Sequence, residues 1–255
     1  VLAVGSGKGG VGKSTVALNL ALALRARGPV GLLDADVYGP NIPQMLGLRR
    51  EAWTEGWTLA QAGGPEAQRP IAAMERYGLK VASAGFFLGE DQAMGIGAMG
   101  IDLLMKQLVR SMTWGALEFL VVDLPPGTAD VAHTMMRELR VSGAIVVVTP
   151  QELAHLDARK AVTMFRHARV QVLGAVENMS AFSCQGCGER ISLFPAVAPD
   201  RAIWRMDVDK LGDIPFSGAL GDAAQNGVPI TVSAPESATA LSFGRIAREV
   251  AARLG

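Results

Sequence analysis

The amino-acid sequence predicts an α/β fold, a mostly parallel β-sheet flanked by helices on both faces. Three observations predict it. Short apolar runs alternate along the chain with longer amphipathic stretches. The short runs are continuously apolar, as strands covered on both faces are. Two of these runs end in an aspartate just before a loop rich in Gly and Pro, which suits strands finishing at one common edge. Right-handed crossovers then join successive strands.

Strands are expected at Val1–Val4, Val30–Asp34, Leu79–Ser83, Phe119–Asp123, Ala144–Thr149 and Val172–Glu177, with a short one ending near Ile214. Helices are expected at Lys13–Arg27, Met99–Met112, Val131–Glu138, Leu153–His167, Gly218–Asn226 and Ser237–Leu254. In the first helix Val16, Leu20, Ala23 and Leu24 recur at spacings of three and four, which predicts one buried stripe. Residues Glu51–Arg76, rich in Gly, Pro, Ala and Glu, read as an insertion over the sheet edge, so residues 1–255 read as a single domain. Phe194–Asp209 reads as a second irregular stretch.

Composition narrows the function classes. The 255 residues are 49% apolar, enough for a substantial core. The 24 basic residues balance the 24 acidic ones, which argues against holding nucleic acid by its phosphates. No apolar run has the length of a membrane span and no secretory leader is visible, so no membrane partner and a cytoplasmic setting are expected. Cys184 and Cys187 are the only cysteines and sit too close together to staple the fold. The chain opens at Val1, already inside a strand, so residues are expected to have preceded it.

Gly7-Lys8-Gly9-Gly10-Val11-Gly12-Lys13-Ser14 follows the first strand and opens the first helix. Glycines let successive N–H groups curl around a phosphate, and the helix N-terminus adds partial positive charge. Lys13 is expected at the β- and γ-phosphates, the Ser14 hydroxyl on Mg²⁺ and Thr15 at the α-phosphate. Asp123, closing an apolar strand, fits a residue that holds hydrated Mg²⁺. Asp36 fits the residue that orients the attacking water, and Asp34 would support Mg²⁺ through water. Asp130 reads as the N-cap of the helix that follows.

With Lys8 inside it, the loop resembles the deviant Walker A motif of the MinD/ParA ATPases. That resemblance implies that Lys8 crosses a homodimer interface to the partner's nucleotide, so that assembly gates hydrolysis.

Cys184-Gln185-Gly186-Cys187 leaves metal ligation, redox chemistry and chance open. Two thiolates are half of what a tetrahedral zinc or an iron–sulfur cluster needs, and a two-fold axis could bring two such loops together. The segments Gly5–Ser14, Leu33–Asn41, Val121–Thr128, Thr149–Glu152, Val176–Ser180 and Leu211–Phe216 resemble the Mrp/ApbC family of iron–sulfur cluster carrier ATPases. The resemblance covers essentially the whole chain. It implies a homodimer that holds a [4Fe–4S] cluster between two Cys-x-x-Cys loops, at about 180–190, and passes it to apo iron–sulfur proteins. It also implies that Asn178 and the Pro215 turn flank the adenine, selecting ATP.

Three departures from that pattern stand out. Gln185-Gly186 replaces the usual Pro-bearing pair, Phe194–Pro199 replaces a Gly-rich stretch, and Met94–Ile101 lacks the expected Trp/Arg-Gly-Pro pattern. The competing reading is a MinD/ParA-like positioning ATPase with a zinc-bridged or metal-free dimer. Its membrane form would need a basic amphipathic tail. The last helix instead places Phe243, Ile246, Val250 and Leu254 on one face, as expected for docking against the sheet.

Overall fold

A computed structural model describes residues 1–48, 70–87, 98–127, 130–184, 186–187 and 189–255. Most of the expected insertion, and residues 94–97 of the segment 94–101, lie outside the described residues. So do Gln185, Gly188 and Thr128.

The strands are β1 (Leu2–Ser6), β2 (Val30–Asp34), β3 (Ile71–Ala72), β4 (Met74–Arg76), β5 (Leu79–Ser83), β6 (Met112–Thr113), β7 (Phe119–Asp123), β8 (Gly143–Val148), β9 (Val172–Ser183), β10 (Arg190–Ile191) and β11 (Lys210–Phe216). The helices are α1 (Lys13–Leu24), α2 (Ile42–Met45), α3 (Ala98–Ser111), α4 (Asp130–Glu138), α5 (Glu152–His167), α6 (Gly218–Gln225), α7 (Ile230–Ser233) and α8 (Ala238–Leu254).

The main sheet runs β10-β9-β8-β1-β7-β2-β5-β4, with β11 pairing the far edge of β9. Its interior pairs are parallel, and antiparallel β4 and β10 close its two ends. Strands β3 and β6 form a separate two-stranded pair. The expected parallel sheet is therefore present.

Alternate residues of each central strand feed two cores. Leu2, Val4, Leu32, Val121, Ile145 and Val147 face the side of α1 and α8. Ala3, Leu33, Val122, Ala144, Val146 and Val148 face the side of α3, α4 and α5. Period two sends neighbours to opposite faces, and both faces are apolar because both are covered. Every residue of β1, β2 and β8 is accordingly buried.

Helix α1 corrects one expectation. Burial is not confined to one stripe: Ala17, Leu18, Ala21 and Leu22 are buried beside Val16, Leu20 and Leu24, while Ala23 is only partly buried. The helix is wedged between the sheet and helices α7 and α8, so it has little free face. Helix α8 docks as expected, through Phe243, Ile246 and Val250, with Leu254 partly buried at its end. No described helix is long and apolar enough to cross a membrane.

Three further expectations shift. Residues 71–76 form β3 and β4 instead of irregular chain, so β4 extends the sheet at its edge. Strand β9 does not stop at Glu177 but runs to Ser183, because β11 and then β10 offer it new partners. Asp130 is the first residue of α4, one place inside its expected cap position.

Topology fixes where ligands can sit. Strand β1 lies between β7 and β8, and the chain leaves it toward β2 on one side before later returning to β8 on the other. Such a reversal opens a crevice outside the carboxyl ends of the strands. Val4 is level with Asp123, and Asp123 is level with Asp34, so the loop after β1 and both carboxylates meet at one edge.

Candidate functional site

The loop after β1 is shaped by its glycines. Gly10 and Gly12 have φ of 78° and 81°, left-handed conformations that favour glycine. Gly9 and Gly10 face open space, so a ligand can approach their backbone closely. Gly7 and Gly12 meet the opposite demand. A Cβ on Gly7 would come within 2.1 Å of the Asp157 carbonyl carbon in α5, and one on Gly12 within 2.2 Å of Asn178 Nδ2. Val11, 2% exposed, pins the loop to the core. Asn178 Nδ2 donates to the Val11 carbonyl at 2.8 Å. Gly12 then caps α1, whose first residues are Lys13, Ser14 and Thr15.

Lys13 sits where three carboxylates converge. Its Nζ lies 2.7 Å from Asp123 Oδ1 and 3.3 Å from Asp36 Oδ2. Burial pulls the ammonium down in pKa, but Asp123 and Asp36 outweigh it and hold the group above the ordinary lysine value. Burial also pushes Asp123 upward, against the opposing pull of Lys13. For Asp34, burial and the nearby Asp123 charge raise the carboxyl to about 8, while Ser83 and Lys13 pull the other way.

Asp34 spends both oxygens locally. Oδ1 accepts from the Asp36 N–H at 3.2 Å, and Oδ2 accepts from the Ser83 hydroxyl at 2.9 Å and the Ile42 N–H at 3.3 Å. It thus ties the segment carrying Asp36 to β5 and α2. Asp36 Oδ1 accepts from the Gly39 N–H.

The arrangement fits a nucleotide and a divalent cation. A cavity of about 310 Å³ is lined by Lys8, Gly9, Gly10, Gly12, Lys13, Ser14 and Thr15, and faces Asp36 and Pro126. Three carboxyl groups surround one ammonium, and burial and mutual repulsion hold Asp34 and Asp123 toward their protonated forms; a divalent cation would supply the positive charge that lets them ionise. Asp123 Oδ2 is buried and has no hydrogen-bond partner among the described residues. An acceptor of that kind is what a metal-bound water seeks.

Lys8 is half-buried, and its Nζ donates to Gln151 Oε1 at 3.2 Å. Gln151 occupies the N-cap position of α5 without capping it, its side chain being turned to Lys8. This contact was not expected, although Gln151 lies within a motif quoted above. Ser83, the support behind Asp34, was missed as well. A serine closing an apolar strand is the only trace it leaves in the sequence.

The two cysteines stand apart from this cluster. They occupy the tip of the hairpin between β9 and β10, where the Cys184 N–H donates to the Glu189 carbonyl at 2.9 Å. Cys184 is half-buried and Cys187 exposed. Backbone N–H groups of Cys187 and Gly186 hold the Cys184 thiol below the ordinary cysteine value. Among the described residues, no group of three or more His, Cys, Asp or Glu side chains closes a metal site.

Asn178 lies in strand β9, which ends at Ser183, one residue before Cys184, and Pro215 lies in β11 beside it. Pro215 is therefore not in a turn. It sits where the β9–β11 register breaks between Ile214 and Phe216, a place that tolerates a residue without an N–H.

Comparison with known proteins agrees with this geometry. The family described as NUBPL iron-transfer P-loop NTPase matches residues 1–251. The chain belongs to that family. It is 41% identical over 262 residues to the iron-sulfur cluster transfer protein NUBPL of Mus musculus, covering all of this chain and 77% of that protein. It is 40% identical over 256 residues to the iron-sulfur cluster carrier protein of Escherichia coli strain K12, covering all of this chain and 66% of that one. The chain thus spans about two thirds to three quarters of these relatives' length.

A solved nucleotide-binding protein from Archaeoglobus fulgidus, in complex with ADP, aligns with a TM-score of 0.71 at 34% identity, over 89% of this chain and 85% of that one. The cell division ATPase MinD of Pyrococcus furiosus shares the fold, with a TM-score of 0.71 at 24% identity over 98% of both chains. The resemblance to cluster carrier ATPases with a MinD/ParA-like fold holds.

Proposed function

We propose that this protein is an ATP-hydrolysing iron–sulfur cluster carrier. It would hold a [4Fe–4S] cluster between the Cys184 and Cys187 pairs of two subunits and deliver it to apo iron–sulfur proteins. One observation carries the reading: strand β9, whose Asn178 holds the phosphate loop with its extra lysine, runs directly into a partly exposed, incomplete pair of thiols. The names of the relatives support the same cargo.

In this reading the N–H groups of Gly9, Gly10, Gly12 and Lys13 cradle the phosphates, with Gly7 and Val11 anchoring the loop. Lys13 exchanges its carboxylate partners for the β- and γ-phosphates, and Thr15 contacts the α-phosphate. Bound Mg²⁺ supplies charge neutralisation to the phosphates. Ser14 and Asp123 would hold it, with Asp34 behind them. Asp36 orients the attacking water. Asn178 and Pro215 border the adenine. Lys8 leaves Gln151 and reaches the partner subunit's nucleotide, so the homodimer that completes the cluster ligands also completes the ATPase. The fold reads as one domain.

Anaerobic purification with quantification of iron, sulfide and zinc tests the proposal. About one [4Fe–4S] per two chains is expected from four thiolate ligands. Stoichiometric zinc without sulfide would overturn it in favour of a zinc-bridged switch.

A further inference from the structure

A second cavity, of about 620 Å³, lies away from the phosphate loop, beneath the arch of chain that follows β10. Its size falls within the ~300–1,000 Å³ usual for small-molecule pockets. Phe194, Pro195, Val197, Pro199 and Trp204 give it apolar lining, and His155, Glu177, Ser180, Ser192 and Arg205 supply its polar groups.

His155 is 1% exposed. The Ile203 N–H donates to its Nδ1 at 3.2 Å, so the proton of the neutral ring sits on Nε2. Burial holds the ring below the ordinary histidine pKa, keeping it neutral. Nε2 is buried and has no hydrogen-bond partner among the described residues. The nearest carboxylate oxygen, Glu177 Oε1, is 3.9 Å away, beyond hydrogen-bond reach. The other oxygen of Glu177 is engaged by Lys210.

A donor and an acceptor therefore face one cavity without meeting each other. A single hydroxyl can join them, accepting from Nε2–H and donating to Oε1. Arg205 also lines the cavity, but its Nη1 donates to the Asp200 carbonyl, so an anion would have to draw it away and would still meet the Glu177 carboxylate, while a cation would meet the Arg205 guanidinium and the His155 N–H. The hydroxyl's body must be apolar to suit the walls. Trp204 already packs edge-on against His155, with centroids 5.6 Å apart and planes at 74°, and a further ring extends that arrangement.

We propose that this cavity is a binding site for a small neutral aromatic alcohol, with the hydroxyl held between His155 and Glu177. The site requires neither the nucleotide nor the cluster, so it stands or falls apart from the function proposed above.

The test titrates the full ¹⁵N-labelled chain with p-cresol, toluene and benzoate, following the His155 ring nitrogens by NMR. p-Cresol should give saturable shifts at His155, with an affinity about tenfold or more above toluene, the difference one hydrogen-bonded hydroxyl makes. Benzoate should bind more weakly than p-cresol. H155F keeps an aromatic ring but removes the N–H and should erase the preference for p-cresol over toluene, read from backbone amide shifts around Trp204. A196W, placed on the exposed arch, should block both neutral probes while leaving the His155 contact to Ile203 intact, so the test survives if H155F fails to fold. The proposal is overturned if p-cresol does not saturate, if toluene or benzoate equals it, or if its binding survives A196W.

Discussion

The phosphate loop, held by Asn178 of β9, and the cysteine hairpin, which begins where β9 ends, are built in opposite ways. Beneath the loop, Asn178 is 3% exposed and hydrogen-bonded, Lys13 is 6% exposed among three carboxylates, and Gly7 is pressed against α5. Six residues beyond Asn178, Cys184 begins a tip with one backbone contact to Glu189, and Cys187 is exposed. Exposed Ile191 and Phe216 both pair with Phe182, just before that tip. The loop is organised in advance, as a site for phosphoryl chemistry must be, because fixed dipoles cost no reorganisation during the reaction. The hairpin supplies half a ligand set and leaves the rest to whatever meets it. Substitutions should therefore damage stability and chemistry together at the loop, and chemistry alone at the hairpin.

The largest effect is expected from Lys13→Ala. ATP hydrolysis should fall at least about 100-fold, as when a main transition-state donor is removed. The variant should also lose roughly 3–5 kcal/mol of stability, because buried carboxylates lose their counter-charge. Phosphate release and urea midpoints measure the two, and wild-type values for both would break the contrast.

The carboxylates also predict a pH dependence. Asp34 titrates at about 8 in the fold against 3.8 in the unfolded chain, so the native state holds the extra proton between those values. Its contribution is fully present below pH 4 and is lost as pH rises toward 8. Asp34→Asn removes that titration and should flatten the decline in urea midpoint between about pH 4 and pH 8. An unchanged slope would move the effect to another group.

Gly7→Ala should cost about 1–3 kcal/mol, since its Cβ meets the Asp157 and Ala158 backbone, which cannot swing aside. Thermal unfolding reads this directly. Asn178→Ala should cost about 1–2 kcal/mol by leaving the Val11 carbonyl unpaired, and should raise the KM for ATP by loosening the loop. A shift in kcat alone would place Asn178 elsewhere in the mechanism.

The same contrast explains what could be read from the sequence. Strands β2, β5 and β7 have the bounds their continuous apolar runs predict, because burial on both faces leaves no ambiguity. The phosphate loop and Asp34, Asp36 and Asp123 are legible because spacing and strand ends carry them. The structure brings all of them to one edge. The end of β9 was not legible. Asn178-Met179-Ser180 looks like a turn, and Met179 does adopt a φ of 56°, yet pairing with β11 carries the strand on. Helix α2 was missed because Pro43 sits inside a four-residue segment, where it is tolerated only because it falls in the first turn. Ser83, Gln151 and His155 acquire partners or cavities only through distant chain, and no local pattern announces such contacts.

Cys187→Ala tests the account most directly. At an exposed hairpin tip, stability should stay within about 0.5 kcal/mol of the parent chain. After anaerobic purification, iron and sulfide should be lost, while ATP binds with unchanged affinity. A retained cluster, or nucleotide binding lost along with the cluster, would contradict it.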